Sequence, residues 1–176
     1  MAQKGRFLIY GATGYTGKLT ARTAEAQGLK PILAGRSEEK VKPLAAELGL
    51  DWRAFDLKET AKLDAALKEV DVVLHIAGPF SATSKPMADA CIRTKTHYLD
   101  ITGEVAVFES LAARDAEAKK AGVMLLPGVG FDVVPSDCLA AHIKRRLPEA
   151  QDLKMYIGGL GKASRGTMKT MIEGVA

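Results

Sequence analysis

The feature that most limits the fold of this chain is a regular alternation of short apolar runs with longer amphipathic stretches. The short runs, rich in β-branched residues and typical of strands, are Phe7–Tyr10, Pro31–Ala34, Trp52–Phe55, Val72–Ile76, His97–Ile101 and Val123–Leu126. The stretches with apolar residues at helical spacing are Lys18–Gln27, Glu38–Leu48, Ala61–Val70, Pro86–Thr94 and Val107–Ala121. Strands that alternate with helices of this length form right-handed βαβ units. The sequence therefore predicts the α/β class, with a doubly wound parallel sheet covered by helices on both faces.

Glycine and proline mark the expected ends of several helices. Gly28, Gly49 and Gly122 follow helix candidates at the position of a C-cap, where glycine adopts a left-handed conformation without steric penalty. Pro43 conflicts with this pattern, because a proline inside the second helix removes a backbone hydrogen bond. We expect Pro43 to kink that helix or to delay its start.

The first strand candidate leads into a glycine-rich turn and then into a helix. Glycines at positions 11, 14 and 17 are spaced so that one permits a tight turn, one lets backbone amides approach a pyrophosphate, and one lets helix and strand pack closely. The helix N-terminus adds unpaired N–H groups and the positive end of its dipole. In this context the pattern favours a dinucleotide site of the Rossmann type over a purely structural turn. The residues predicted to contact the cofactor here are Gly11, Ala12, Thr13, Gly14, Tyr15, Thr16 and Gly17.

The end of the second strand indicates which dinucleotide binds. A site for NAD would carry an acidic residue here to accept the ribose hydroxyls, whereas this sequence has Arg36 followed by Ser37. A guanidinium pairs with the 2′-phosphate of NADP, which a carboxylate would repel. The sequence therefore predicts NADP(H); the alternative is a solvated Arg36 with Ser37 as the N-cap of the next helix. Asp56, after the third strand, is either an adenine contact or a turn residue.

The fourth strand candidate leads into Ala77, Gly78, Pro79 and Phe80. Small residues at 77 and 78 would let the chain pass close to the ribose and nicotinamide of the cofactor. Pro79 would fix the loop, and Phe80 would supply an apolar wall. We include these four residues in the predicted cofactor site; the alternative is an ordinary βα turn with one buried aromatic residue.

Two later loops place carboxylates beyond strand ends, where ligands bind in open α/β sheets. Asp100 and Glu104 follow the fifth strand, and Asp132 and Asp137 follow the sixth. Such groups can contact a substrate or act as acids and bases, or they can begin a helix and hold a loop. The sequence leaves the catalytic residues unassigned, with Asp132 and Glu104 as candidates.

Other catalytic chemistries are disfavoured. None of the tyrosines is followed by a lysine four residues later, which argues against the Tyr-x-x-x-Lys pair of short-chain dehydrogenases. We expect His75, His97 and His142 to be packed or surface residues rather than catalysts. Cys91 and Cys138 are too isolated for a zinc site or a disulfide framework, and we expect both thiols to be buried and inert. No metal site is predicted.

Composition is that of an ordinary globular protein, with 47% hydrophobic and 26% charged residues. No apolar run approaches the roughly 20 residues of a membrane span, and the N-terminus has no signal-peptide pattern. The net charge of +4 is spread along the chain, so no nucleic-acid-binding arm is predicted. We expect a cytoplasmic protein with a small-molecule substrate and with neither a membrane span nor a nucleic-acid partner.

The last part of the chain is predicted to begin a second domain. The helix candidate Ser136–Leu147 is followed by Pro148, a strand candidate Leu153–Ile157 and a helix-like stretch Thr167–Glu173. Residues 149–176 are too few for a domain of their own. We therefore expect an NAD(P)-binding Rossmann domain at residues 1–148 and the start of a truncated α+β domain after it.

Several motifs together resemble one known family. They occupy residues 11–17, 34–37, 77–80, 98–104 and 130–137. In this order they are similar to the NADP-binding domain of saccharopine dehydrogenase-like oxidoreductases, and in particular to the branch that contains trans-acting enoyl reductases. Residues 161–167 resemble the entry of that branch into its second domain.

The resemblance implies a two-domain, NADP-dependent oxidoreductase. It would transfer hydride between NADP(H) and a small organic substrate, either an imine or amino-acid adduct or an enoyl compound. The second domain would supply most of the substrate pocket and often the contact of a homodimer. The alternative is a non-catalytic NADP(H)-binding sensor or partner protein, which would share every cofactor motif.

Overall fold

The computed structural model of this chain describes residues 5–131, 133–156 and 158. Its strands are β1 (Phe7–Tyr10), β2 (Ile32–Gly35), β3 (Trp52–Ala54), β4 (Val72–His75), β5 (His97–Asp100) and β6 (Leu125–Leu126). Its helices are α1 (Tyr15–Ala26), α2 (Glu38–Leu48), α3 (Thr60–Leu67), α4 (Phe80–Thr94), α5 (Val105–Ala112), α6 (Asp115–Ala121) and α7 (Val134–Arg146). None of these helices is both long and apolar enough to cross a membrane.

The strands form one parallel sheet in the order β3-β2-β1-β4-β5-β6. The chain moves outward from β1 through β2 to β3, crosses back to β4, and then moves outward on the other side. Right-handed crossovers place α1 and α2 on one face of the sheet and α3 to α6 on the other. The predicted doubly wound, Rossmann-type sheet is confirmed. Its winding reverses between β1 and β4, and ligands of such sheets bind at the carboxyl ends of the strands at this point.

Side chains alternate along β1 and therefore enter two separate cores. Leu8 packs in the core formed with α3, α4 and α5, whereas Ile9 packs in the core formed with α1 and α2. Both side chains are fully buried, and burying a side chain of this size contributes about 1.5–3 kcal/mol to stability. The two layers hold the central strands in place, so the loops at their carboxyl ends have a fixed base.

Helix α4 begins at Phe80, well before the predicted start at Pro86. The carboxylate of Glu104, in the loop after β5, accepts the backbone N–H of Phe80 at 3.1 Å and that of Ser81 at 2.7 Å. These bonds satisfy two of the N–H groups that the start of a helix leaves unpaired. Because Glu104 is 24 residues away from Phe80 in sequence, the local pattern around Pro86 contained no sign of this earlier start.

The predicted helix Val107–Ala121 consists of two helices, α5 and α6, which are separated at Ala113 and Arg114. The Arg114 guanidinium forms ion pairs with Asp89 of α4 at 2.7 Å and with Glu117 at 2.9 Å. This break lets both short helices pack against α4.

Glycines follow the ends of three helices as predicted, but Pro43 does not delay the start of α2. Gly49 and Gly122 are the C-caps of α2 and α6, with φ of 63° and 72°, and Gly28, with φ of 72°, follows Gln27, the C-cap of α1. Helix α2 begins at Glu38 and continues through Pro43, so the expected delay is wrong. Proline removes only one bond there, to the carbonyl of Glu39 in the exposed first turn.

The segment after β6 departs most from expectation. Helix α7 has no buried residue, and Cys138 within it is exposed rather than buried as predicted. Cys91 is fully buried in α4, as predicted, and this burial raises the pKa of its thiol. Residues 153–156 of the predicted seventh strand have no strand structure, since no described neighbour supplies the hydrogen bonds that a strand needs. Ile157 and the predicted helix Thr167–Glu173 lie outside the described residues.

Candidate functional site

The carboxyl ends of β1, β2 and β4 surround an open cleft of about 330 Å³. The cleft lies where the winding of the sheet reverses, and its volume is at the lower end of the range for small-molecule sites. Its lining comes from the glycine-rich turn, the end of β2 with the start of α2, and the end of β4. The lining residues are Tyr10, Gly11, Thr13, Gly14, Tyr15, Thr16, Gly17, Gly35, Arg36, Ser37, Lys40, Ile76, Ala77 and Gly78.

Two glycines of the turn are required by the fold itself. Gly11 has φ of +91°, and a Cβ added to it would lie 2.9 Å from the backbone nitrogen of Ala77. A Cβ on Gly17 would lie 2.1 Å from the carbonyl oxygen of Gly11. Both contacts are with backbone and cannot be relieved by a side-chain movement. The turn after β1 is therefore packed directly against helix α1 and against the end of β4.

Gly14 is a different case, because the protein leaves space for a side chain there. Its backbone is extended, with φ of −70° and ψ of 172°, and an added Cβ would meet only the Gly11 carbonyl oxygen at 3.4 Å. Gly14 is the N-cap of α1, which has no side-chain cap and no acidic residue in its first turn. The first N–H groups of such a helix face outward without an internal acceptor. This bare, positively polarised turn has the chemistry that binds a pyrophosphate.

Two cations lie at the β2 end of the cleft. Arg36 is exposed directly after β2, and Lys40 is exposed in the first turn of α2. Neither forms an ion pair with another described residue. Ser37 is the N-cap of α2, but its hydroxyl makes no capping bond. These groups are available to an anionic ligand.

Lys40 was missed by the sequence analysis, although its position contained a usable signal. Lys40 follows Arg36 by four residues, and the predicted helix start at Glu38 brings it back toward the end of β2. Tyr10, Gly35 and Ile76 also line the cleft without having been predicted. They are strand-end residues, and the pairing of β1 with β2 and β4 was needed to bring them together.

Tyr10 forms part of the cleft floor as a neutral phenol. Its hydroxyl donates to the carbonyl oxygen of Phe55 at 3.1 Å. Burial, reinforced by the negative charge of Asp56, raises the pKa of Tyr10 to about 12. The phenol therefore keeps its proton at neutral pH, and its hydrogen bond to Phe55 holds it in the core beneath the cleft.

Four residues of the predicted cofactor site are not part of the cleft lining. Ala12 is fully buried in the core beneath α1 and α2. Asp56 accepts the N–H of Lys58 at 3.0 Å, which is the turn role considered as its alternative. Pro79 is the N-cap of α4, and Phe80 is 8% exposed, with its ring packed edge-on against His75.

The carboxylates after β5 connect neighbouring loops. Asp100 is fully buried, and its oxygens accept the Tyr98 hydroxyl and the backbone N–H groups of Thr102 and Gly128 at 3.0 and 2.9 Å. Glu104 binds the start of α4, as described above. Asp100 thus ties the loop after β5 to the segment after β6, and Glu104 ties that loop to the segment after β4.

The other candidate residues either lie outside the described residues or do not line the cleft. Asp132 lies outside the described residues. Asp137 is in the first turn of α7, consistent with the helix-start role considered for it. His142 is exposed and His97 is half-buried, and His97 accepts the N–H of Met124 at 3.0 Å. His75 is fully buried, as predicted.

The fold and the cleft define this chain as a dinucleotide-binding α/β domain. Comparison with known proteins then identifies the family. Residues 7–126 match the saccharopine dehydrogenase NADP-binding domain, and the chain belongs to this family. The predicted cofactor, NADP(H), is the cofactor of the family.

Curated relatives are considerably longer than this chain. A trans-acting enoyl reductase of Mycobacterium leprae is 35% identical over 150 residues, which are 81% of this chain and 36% of that protein. A putative trans-acting enoyl reductase of Mycobacterium tuberculosis is 35% identical over 183 residues, covering 94% of this chain and 43% of that protein. The chain thus spans less than half the length of these relatives.

A solved structure supports the fold. Saccharopine dehydrogenase (L-Glu forming) from Saccharomyces cerevisiae, in its apo form, matches with a TM-score of 0.72 over 83% of this chain and 32% of that chain. Its sequence identity is 22%, so this likeness concerns the arrangement of helices and strands.

Proposed function

We propose that NADP(H) lies across the boundary between β1 and β4 and that the protein carrying this domain is an NADP-dependent oxidoreductase. The observation that carries the proposal is that one cleft combines a glycine turn open to a pyrophosphate with two cations, Arg36 and Lys40, that form no ion pair with another described residue. The cofactor supplies the hydride chemistry. This chain supplies binding and orientation.

The positions of the charges support one direction for the bound cofactor. The pyrophosphate lies over Gly14 and the N-terminus of α1, where outward N–H groups are available. The 2′-phosphate lies beside Arg36 and Lys40 at the β2 end of the cleft. The nicotinamide half then extends to the opposite end, along Ala77 and Gly78.

Binding to the 2′-phosphate accounts for a preference for NADPH over NADH. A guanidinium and an ammonium both favour a phosphate over a ribose hydroxyl, and charge-assisted hydrogen bonds contribute about 1.5–3 kcal/mol each. The first test is calorimetry with both cofactors on the 176-residue chain. Tighter binding of NADPH by at least tenfold is expected; equal affinities would overturn the assignment of Arg36 and Lys40.

The reaction that we propose is the reduction of a carbon–carbon double bond in an enoyl substrate. The proposal rests on the curated relatives, which are named trans-acting enoyl reductases or putative ones at 31–35% identity. The imine or amino-acid adduct remains the second substrate class, since the family takes its name from saccharopine dehydrogenase. In this chain the carboxylates Asp100 and Glu104 hold backbone amides, so we expect them to shape the loops rather than to exchange protons.

The residues that complete the active site are expected beyond this domain. Ligand sites often lie at domain interfaces, and the cleft is open on the side away from the sheet. We expect this chain to bind NADPH without oxidising it. The test is NADPH oxidation on enoyl, imine and keto substrates, measured for this chain and for a protein that continues to the length of the relatives. Comparable rates would show a self-contained active site; binding without turnover in both would favour a sensor.

A further inference from the structure

His75 is a buried histidine whose hydrogen bonding is incomplete. It ends β4 with no exposed surface, and its ring is surrounded by the rings of Tyr10, Phe80 and Tyr98 at centroid distances of 5.7, 5.5 and 6.2 Å. Burial lowers the pKa of His75 to about 3, so the imidazole is neutral at physiological pH. Its Nδ1 atom is buried and has no hydrogen-bond partner among the described residues.

The hydrogen bonds of Thr83 determine which ring nitrogen carries the proton. The Thr83 hydroxyl is 2.7 Å from the carbonyl oxygen of Ala77 and 2.9 Å from that of Pro79. Its single proton must serve these carbonyls, which can only accept. Nε2 of His75, 3.0 Å from the same hydroxyl, must therefore be the donor. A chain of bonds runs from His75 through Thr83 to the backbone of the turn after β4.

Stability does not explain a histidine at this place. A phenylalanine could make the same aromatic contacts, and it would bring no unsatisfied nitrogen into the core. A buried polar atom without a partner costs about 1–3 kcal/mol. Such an exception is reason to look for a role other than packing.

The backbone that this chain of bonds holds is one wall of the cleft. Ala77 and Gly78 line it on the β4 side, and Ala77 lies so close to Gly11 that a Cβ on Gly11 would be 2.9 Å from its nitrogen. A movement of Ala77 would therefore change the width of the cleft between the two loops. Fixing such a wall in advance lowers the cost of ordering it when a ligand binds.

We propose that His75 and Thr83 are positioning residues for the nicotinamide half of the cofactor. The imidazole orients the Thr83 hydroxyl, and the hydroxyl fixes the carbonyls of Ala77 and Pro79, so that the Ala77–Gly78 edge keeps a set distance from Gly11. This inference rests on the cofactor orientation proposed above. It goes further by naming two residues that do not line the cleft.

The test compares a whole cofactor with its adenine half. His75→Phe keeps the aromatic ring and removes the donor, and Thr83→Val removes the hydroxyl. Each variant is expected to weaken NADPH binding about tenfold by calorimetry. Adenosine 2′,5′-bisphosphate, which has no nicotinamide half, should bind within twofold of the unmodified chain.

Two controls separate positioning from general damage. Thr83→Ser retains the hydroxyl and should restore NADPH affinity. Thr94→Val removes the same kind of bond, from Thr94 to the Ala90 carbonyl at 2.8 Å, and a contact with the Thr96 hydroxyl at 2.9 Å. Both lie at the far end of α4, so this variant should leave the binding of both ligands unaffected. Unchanged NADPH binding in His75→Phe and Thr83→Val, or an equal loss for both ligands, would overturn the proposal.

A measurement without ligand keeps this inference distinct from the proposed function. In the ligand-free protein, His75→Phe should shift the amide resonances of Ala77 and Gly78, whereas Thr94→Val should not. If the unmodified chain bound no NADPH, the proposed cofactor orientation would fail, and this comparison would still decide whether His75 positions the turn. Unshifted resonances would refute the positioning role in either case.

Discussion

Replacing Gly14 with valine is expected to abolish cofactor binding while leaving the fold intact. The backbone of Gly14 is extended, with φ of −70°, a conformation that β-branched residues adopt readily. The added Cβ would meet only the carbonyl oxygen of Gly11, at 3.4 Å, which is an ordinary van der Waals distance. The free energy of unfolding should therefore change by less than about 1 kcal/mol.

The loss of binding follows from where the valine methyl groups would lie. They would stand over the N-terminus of α1, in the space proposed for the pyrophosphate, and would keep the phosphate oxygens from the backbone amides. Losing two amide–phosphate bonds, at about 1.5–3 kcal/mol each, raises the dissociation constant by at least about 100-fold.

The assay needs one binding and one stability measurement, with Gly17→Ala as a matched control. Calorimetry with NADPH measures affinity, and urea unfolding measures stability. A Cβ on Gly17 would lie 2.1 Å from the Gly11 carbonyl oxygen, so this smaller substitution should cost about 1–3 kcal/mol or more of stability. If Gly14→Val binds NADPH within twofold of the unmodified chain, the turn does not hold the pyrophosphate; if it unfolds the protein, the steric argument is wrong.

Three further outcomes are expected. Arg36→Glu should weaken NADPH binding at least tenfold and leave NADH binding within about threefold of the unmodified chain by calorimetry, because it replaces a phosphate partner with a repelling charge. An unchanged ratio of NADPH affinity to NADH affinity would contradict this. Burial lowers the pKa of His75 from 6.5 to about 3, so only the unfolded chain gains a proton there as the pH falls below 6.5. The free energy of unfolding should then decrease by up to about 1.4 kcal/mol per pH unit down to pH 4. His75→Phe should remove this contribution, as measured by urea unfolding at several pH values; parallel plots of unfolding free energy against pH for the two proteins would refute the prediction. Glu104→Gln should lower the free energy of unfolding by about 1–2 kcal/mol, because an amide NH₂ would face a backbone N–H of Phe80 or Ser81; an unchanged denaturation midpoint would argue against a capping role.

The sheet and the position of the glycine-rich turn could be predicted from sequence because their signals are local. Strand β1 and helix α2 have the predicted bounds, since apolar spacing and glycine placement act within one element. The glycine pattern also located the turn, but its three glycines have different roles in the structure. Gly11 and Gly17 are demanded by backbone packing, and Gly14 is not.

Features that depend on distant partners could not be read from local patterns. The start of α4 depends on Glu104, and the division between α5 and α6 accompanies ion pairs of Arg114 with two helices. The carboxylates Asp100 and Glu104 look alike in sequence whether they act on a ligand or hold a loop, and only their hydrogen bonds distinguish these roles.

The close contact between Gly11 and Ala77 has a consequence for how the domain responds to its ligand. These residues extend two adjacent strands, and β1 and β4 remain joined beyond their ends by the bond from the Ile76 N–H to the Tyr10 carbonyl oxygen, at 2.8 Å. The floor of the cleft at Tyr10 and Ile76 therefore has the stiffness of the sheet, whereas the Ala77–Gly78 edge beyond it depends on the bonds of Thr83. With the cofactor orientation proposed above, we therefore expect NADP(H) to associate and dissociate without a rearrangement of this floor.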